Sequence, residues 1–299
     1  MKALVTGGAG FLGHYIVDEL EKQKIKTIIL DSAAQNIAED NGWDRKNVEY
    51  IQTDILDCPT ISDAMKGCSL VFHTAAIADI NITRDIPVRT MEVNVVGTAK
   101  CLECARDNNV DRFMFASSVY ASSRRGNFYR VSKQAGEELC KTYADEFSLD
   151  YTVCRYGSLY GREANHWNFM YGVIKSLLLT GEYVFTSSPD AMREYIHIHD
   201  AARETVKIAQ DPEYRNKTIL LTGHQRMKMQ DLFDIITEIM GGNVKIRYNP
   251  EKNNPHYIRT PYAFERDVPA RINLSHYIDI NEGILDCMNE VKKEIKKSY

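Results

Sequence analysis

The chain has no apolar run approaching the roughly 18 residues that a membrane-crossing helix requires. Met1 leads straight into a strand-like segment rather than a signal peptide, so the cytoplasm is the expected compartment and no membrane is expected as a partner. An excess of one charge is also missing. Lys and Arg total 37 against 41 Asp and Glu, a net charge of −4, which removes the electrostatic footprint of a nucleic-acid-binding surface. Proline (8) and tryptophan (2) are sparse, and no long linker, repeat or low-complexity tract interrupts the 299 residues. Cysteines number seven, odd and irregularly spaced, which fits a reducing compartment rather than a disulfide framework. Cys101 and Cys104 form a C-x-x-C, but they sit on the apolar face of a helical pattern with no second pair to complete a zinc site. They read as small core residues, and no metal is expected.

What is present starts at the N-terminus. Lys2–Thr6 reads as a buried strand that runs into Gly7-Gly8-Ala9-Gly10-Phe11-Leu12-Gly13, then an apolar-periodic helix, then a second strand ending at Asp31. A glycine-rich turn between strand and helix lets a pyrophosphate approach the backbone and sit on the free N–H groups of the helix start. A carboxylate at the tip of the next strand, here Asp31, is placed to accept hydrogen bonds from an adenosine ribose. The strand before, the helix after and the acidic residue about twenty positions on lift a weak glycine pattern to a dinucleotide site. Asp31 would repel the 2′-phosphate of NADP, and Ser32-Ala33-Ala34-Gln35 supplies no Arg to receive it, so NAD is the expected cofactor.

Strand and helix signals then alternate: strands at 48–52, 69–73, 112–116 and 151–155, helices at 91–108 and 132–147. Alternation of this kind predicts an α/β, Rossmann-like doubly wound parallel sheet. After about Gly161 the order becomes irregular, with helices at 167–179, 201–210 and 229–240, strands at 183–185, 194–198, 218–221 and 244–248, and a final helix from Asn281. The expected division is a dinucleotide-binding domain at 1–161, with returning segments near 194–223, and a smaller C-terminal substrate lobe at 162–193 and 224–299.

The chemical constellation follows the fifth strand. Phe113-Met114-Phe115-Ala116 delivers Ser117-Ser118 at its carboxyl end, and Tyr129 and Lys133 follow, four apart on one face of a helix. A neighbouring ammonium favours the phenolate, so Tyr129 is expected to ionise below the usual value of about 10. A base of this kind beside a serine hydroxyl and a hydride acceptor is what alcohol oxidation requires. A Tyr–Lys pair at this spacing is weak alone, and gains its meaning from Ser118 just upstream and the NAD fold around it. His73, at a strand end, reads as a packing or hydrogen-bonding group. His197 and His199 precede Asp200, which reads as a helix N-cap for Ala201 onward.

The chain resembles the extended short-chain dehydrogenases/reductases, in particular the nucleotide-sugar epimerase/dehydratase group. The resemblance covers nearly the whole chain. It rests on Thr6 to Gly13, Asp54-Ile55, His73-Thr74-Ala75-Ala76, Asn94 to Thr98, Ser117-Ser118, Tyr129 to Lys133, Arg155 to Gly161 and Arg193 to His197. It implies that Gly7, Gly10 and Gly13 line the pyrophosphate, with Phe11 and Leu12 giving backbone amides. Asp31 holds the ribose, Asp54-Ile55 the adenine, Ala75 and Ala76 line the cofactor path, and Asn94 is mainly a support. Ser118 orients the substrate hydroxyl, Tyr129 is the acid/base, and Lys133 binds the nicotinamide ribose. Arg193 is similar to the family's arginine that meets a substrate diphosphate, with a surface ion pair as its alternative.

Family dehydratases carry Asp-Glu after the active-site Ser/Thr, decarboxylases keep a Glu there, and two-carbon epimerase-reductases use a Cys. Here Val119 and Tyr120 stand in those places. The expected reaction is therefore epimerisation, at C4 of a nucleotide-diphosphate hexose through a transient 4-keto sugar. An NAD(P)H-dependent 4-ketosugar reductase is the alternative, and a 4,6-dehydratase or a non-catalytic NAD-binding regulator is disfavoured. Three departures from the family pattern stand out: a short Ser118–Tyr129 interval, Val119-Tyr120-Ala121 after the serine (with Ser117 as an alternative to Ser118), and Ser158 where an Asn usually meets the diphosphate. Dimerisation through the helices at 91–108 and 132–147 is implied by the resemblance alone. The aromatic stretch Tyr257 to Phe264 reads as a substrate lid or as lobe packing.

Overall fold

Continuous apolar runs without polar alternation belong inside a parallel sheet covered on both faces, and Lys2–Thr6 (β1), Lys26–Asp31 (β2) and Leu70–His73 (β4) are such runs. The computed structural model describes residues 1–34, 47–252, 254–264 and 269–297. These runs join Val48–Gln52 (β3), Arg112–Ser118 (β5), Tyr151–Tyr156 (β6), Lys217–Leu221 (β7) and Ala270–Arg271 (β8) in one eight-stranded sheet. The order is β8-β7-β6-β5-β4-β1-β2-β3, and every neighbouring pair is parallel. The strand order reverses between β1 and β4, and ligands bind beyond the carboxyl ends of strands at such a switch point.

Helices Phe11–Lys22 and Ile198–Gln210 cover one face, with Tyr15, Ile16, Val17, Leu20, Ala201, Ala202 and Val206 packed against Ala3, Val5 and Phe72. Helices Cys58–Met65, Gly97–Asp107 and Asn127–Phe147 cover the other, where Cys101, Leu102, Cys104 and Ala105 meet Leu4, Val71, Phe113 and Phe115. Cys101 and Cys104 are thus core side chains. A third apolar cluster joins helices Phe169–Thr180, Met229–Ile239 and Ile280–Lys297 through Ile174, Leu177, Phe233, Ile236 and Met288.

Several local expectations need correction. The single helix expected at 91–108 is two α-helices, Pro87–Met91 and Gly97–Asp107, separated by a π-turn at Glu92–Val96. The π-turn rotates the Asn94 side chain inward. Gly97 follows it because a Cβ there would stand 2.6 Å from the Ile55 side chain. The strand expected at 194–198 spans only Tyr195–His197, and the next helix starts at Ile198. Its N-cap is His197, whose Nδ1 accepts from the His199 N–H at 3.3 Å. Asp200 lies inside the first turn and is not the cap. Ala270–Arg271, expected in the lobe, returns to the sheet edge beside β7. Among the described residues no helix is long and apolar enough to cross a membrane, and no group of three His, Cys, Asp or Glu could hold a metal ion.

Candidate active site

The carboxyl ends of β1, β2, β4, β5 and β6 open onto one cavity of about 680 Å³. Its floor is the glycine turn. Gly7 has φ +70°, and a Cβ on it would stand 2.6 Å from the Ala75 N; a Cβ on Gly13 would stand 2.2 Å from the Gly7 carbonyl oxygen. Only glycine closes this turn. The first intrahelical donor is His14, whose N–H reaches the Gly10 carbonyl at 2.9 Å, and Gly10 gives no side-chain cap. The preceding amides of Phe11, Leu12 and Gly13 are thus first-turn donors at a cavity wall, a site suited to an anion.

Asp31 is anchored to the same turn. Its Oδ2 accepts from the Ala9 N–H at 2.9 Å and its Oδ1 from the Ala33 N–H at 3.0 Å, which fixes the carboxylate at the cavity edge with lone pairs to spare. Ser32 and Ala33 continue that edge, while Gln35 lies outside the described residues. Asp54, Ile55, Ala75 and Ala76 also line the cavity. Asp54 accepts from the Leu56 N–H at 3.0 Å and pairs with Arg89 at 2.9 Å; both side chains are nearly half exposed, so this pair adds little stability.

Asn94 does not line the cavity. It is buried, taking the Ile77 N–H on Oδ1 at 2.8 Å and giving Nδ2 to the Ile77 carbonyl at 2.9 Å and to the Ser132 hydroxyl at 3.0 Å. It clamps the cavity wall to the helix that carries Tyr129. His73 lies deeper, between the Thr6 and Thr98 hydroxyls at 2.8 and 2.9 Å, and also does not face the cavity.

Ser118, Tyr129 and Lys133 all reach the cavity, with the Ser118 hydroxyl placed to favour the ionised Tyr129 phenol. The expected acidic phenol is not found in the site's own groups. Burial pushes Tyr129 up to about 12, against the smaller lowering by Ser118. The Lys133 ammonium does not offset this, because it donates to the Ala116 carbonyl at 2.7 Å and stands 5.7 Å from the Tyr129 ring centroid. Burial also lowers Lys133 to about 8, opposed by the nearby Glu137.

Glu137, one turn beyond Lys133, was not singled out by sequence reasoning, although its i+4 spacing was legible. It is buried with Arg155 in a forked pair, Nε to Oε1 at 2.9 Å and Nη2 to Oε2 at 2.7 Å. The Ser117 hydroxyl, also at the cavity, donates to the same carboxylate, so its proton is committed to Glu137. Arg155 also donates to the Ser122 hydroxyl at 2.9 Å.

Ser158 lines the cavity, together with Tyr257 from the stretch read as a lid or as lobe packing, and with Tyr120, Tyr156, Asn165, Trp167 and Asn168, which sequence reasoning had not assigned to the site. Arg193 does not. It is buried over the Tyr257 ring at 4.1 Å, donating to the Met192 and Tyr257 carbonyls at 2.8 and 2.7 Å. Thus Arg193 supports the aromatic wall from behind, and is not the surface ion pair offered as its alternative.

The buried histidines have a consequence for stability. Burial lowers His73 to about 3 and His197 to about 4, whereas both charge near 6.5 in an unfolded chain. Between those values the unfolded chain binds more protons, so stability rises with pH and is lost on acidification from about pH 6.5. The urea midpoint is expected to fall from pH 7 to pH 5. A His73 imidazole titrating near 6.5 by NMR in the folded protein would contradict this account.

A model of the NAD dependent epimerase/dehydratase family matches residues 3–221. A Methanocaldococcus jannaschii protein provisionally named a UDP-glucose 4-epimerase is 27% identical, over 97% of this chain and 98% of its own length. Among solved structures, the UDP-N-acetylglucosamine 4-epimerase of Methanobrevibacter ruminantium is similar with a TM-score of 0.83 at 22% identity, over 99% of this chain and 98% of that one. The UDP-glucuronic acid 4-epimerase of Bacillus cereus, solved with UDP-glucuronic acid and NAD, has a TM-score of 0.81 at 19% identity, over 98% of this chain and 100% of that one. At these identities the two structures speak for the fold.

Proposed function

Because the chain belongs to the NAD dependent epimerase/dehydratase family, we propose that it is an NAD-dependent 4-epimerase of a nucleotide-diphosphate sugar, with UDP as the nucleotide. The observation that carries this reading is the single cavity shared by the glycine turn, Asp31, Ser118, Tyr129 and Lys133, with no carboxylate at Val119 or Tyr120. The uncapped helix start at Gly10 and the anchored Asp31 carboxylate fit the pyrophosphate and adenosine ribose of NAD. The names of the relatives support both the C4 position and the UDP group.

NAD held by the glycine turn, Asp31 and Lys133 would supply a hydride acceptor and donor for C4 of the sugar. The chain's own residues do the rest. Ser118 hydrogen-bonds the reacting hydroxyl and Tyr129 exchanges its proton. Lys133 holds the nicotinamide ribose, and the Asn94 clamp keeps the wall at Ile77 in register with the Tyr129 helix. Epimerisation needs no second base, which agrees with Val119 and Tyr120. The smaller lobe, 162–193 and 224–299 apart from the sheet-edge strand Ala270–Arg271, borders the sugar side through Asn165, Trp167, Asn168 and Tyr257. Exposed Ile82, Ile86, Val88, Val96, Phe128 and Val131 on the helices around Asn94 and Tyr129 support a homodimer through that face, which the mass in solution tests.

Denaturing the purified protein is expected to release near-stoichiometric NAD, and the native protein is expected to interconvert UDP-hexoses without added cofactor. An empty protein that oxidises NADPH or NADH only with added 4-ketosugars would overturn the epimerase reading in favour of a ketoreductase.

A further inference from the structure

Tyr120 stands two residues beyond Ser118 in the 3₁₀ turn Val119–Ser122. It lines the cavity with its ring edge-on to Tyr129, centroids 6.3 Å apart. Its hydroxyl is 2.7 Å from Nδ1 of His256, a residue 136 positions downstream. His256 is itself held, its N–H on the Asn254 Oδ1 at 2.9 Å and the Asn254 Nδ2 on the Thr186 carbonyl at 2.9 Å. On the other side Tyr257 packs against the Tyr120 ring, centroids 4.9 Å apart, and is backed by Arg193. Two adjacent residues of one C-terminal segment, His256 and Tyr257, therefore fix this phenol beside Tyr129.

The direction of the hydrogen bond follows from the two groups. Burial, with Arg193 adding to it, lowers His256 to about 4, so the imidazole is neutral near pH 7 and one ring nitrogen accepts. Burial raises the Tyr120 phenol far above its ordinary value, so it keeps its proton. Among the described residues Nδ1 of His256 lies 2.7 Å from that oxygen, and in such a pair the phenol O–H is the stronger donor and the neutral imidazole nitrogen the stronger acceptor. Tyr120 therefore donates to His256, and its oxygen has acceptor lone pairs left for the cavity. Such an atom suits a hydroxyl or an amide N–H on a sugar. A carboxylate brought against it finds no proton and two repelling lone pairs.

We propose that Tyr120, its proton committed to His256, is a specificity-determining contact of the sugar site, selecting sugars that present a hydroxyl or acylamino donor over uronates. Tyr120 makes the contact, and His256 is the positioning residue behind it. The proposal rests on the epimerase reading and deepens it.

The test uses UDP-glucose, UDP-N-acetylglucosamine and UDP-glucuronate with the full-length protein, its Tyr120→Phe, His256→Ala and His256→Gln variants, and the Tyr120→Phe/His256→Ala double variant. The wild type is expected to favour the two neutral sugars. Tyr120→Phe is expected to raise their KM about tenfold, the loss of one unsatisfied hydrogen bond, with kcat changed by no more than about twofold. His256→Ala is expected to match it, the double variant to be no worse than either single, and His256→Gln to recover most of the loss through its amide oxygen. Wild-type preference for the uronate, or an unchanged KM in Tyr120→Phe, overturns the proposal. So do multiplying effects in the double variant. If Tyr120→Phe does not fold, the His256→Ala and His256→Gln pair decides alone. Turnover of none of the three sugars by the wild type sinks the epimerase reading, and this proposal with it.

Discussion

Replacing Tyr129 with Phe is expected to lower turnover by about 10²–10⁴-fold while the protein still carries NAD, because the variant removes one oxygen from the proton transfer and nothing from the cofactor floor. The ring keeps its place, since it is held by the helix Asn127–Phe147 and by the Asn94–Ser132 clamp rather than by its hydroxyl. The Ser118 hydroxyl still accepts from the Tyr120 N–H at 3.3 Å, so the strand end stays ordered. Steady-state rates with UDP-hexoses, together with the cofactor released on denaturation, separate the two effects. Loss of NAD in step with activity would move Tyr129 from proton transfer to cofactor retention, and unchanged activity would remove it from the mechanism.

The largest stability effect is expected at Arg155. Substitution Arg155→Met keeps most of the side-chain volume but leaves the Glu137 carboxylate buried against Ser117 without its cation. Glu137 and Arg155 side chains are 3% and 12% exposed, so solvent cannot replace the lost partner. Breaking such a pair costs about 3–5 kcal/mol, whereas replacing both members costs far less. Urea unfolding of Arg155→Met is expected to show that loss, and the Glu137→Gln/Arg155→Met double variant to recover part of it. Equal stability of Arg155→Met and the wild type would mean that water reaches the Glu137 carboxylate. Because Glu137 lies one turn from Lys133 and supports its charge, Glu137→Gln is the more damaging member of the pair for the site's chemistry.

How far the sequence could be read depends on the range of the interactions involved. The inner strands and the glycine turn were legible because local steric and hydrophobic rules dominate there: buried apolar runs make parallel strands, and Gly7 and Gly13 occupy positions where a Cβ collides with backbone. The register of Tyr129 and Lys133 on one helix face follows from the helical repeat alone. The π-turn at Glu92–Val96 was not legible, because it comes from the inward pull on Asn94 by Ile77 and Ser132, residues that the sequence does not place nearby. The N-cap at His197 rather than Asp200 is similar: several polar residues in a row offer caps, and packing chooses among them.

The sequence by itself determined the doubly wound sheet, the glycine turn and the Ser118–Tyr129–Lys133 set, since each rests on residue type and spacing within a short segment. Only the tertiary structure decided the ionisation of that set and the aromatic wall of the cavity. The high Tyr129 value arises from desolvation, a property of everything that surrounds the phenol. Likewise, Arg193 turns from the cavity to back Tyr257, and Tyr120 gains His256, through contacts between segments 64 and 136 residues apart. Burial and long-range partnership are set by how elements dock, and no local pattern encodes them.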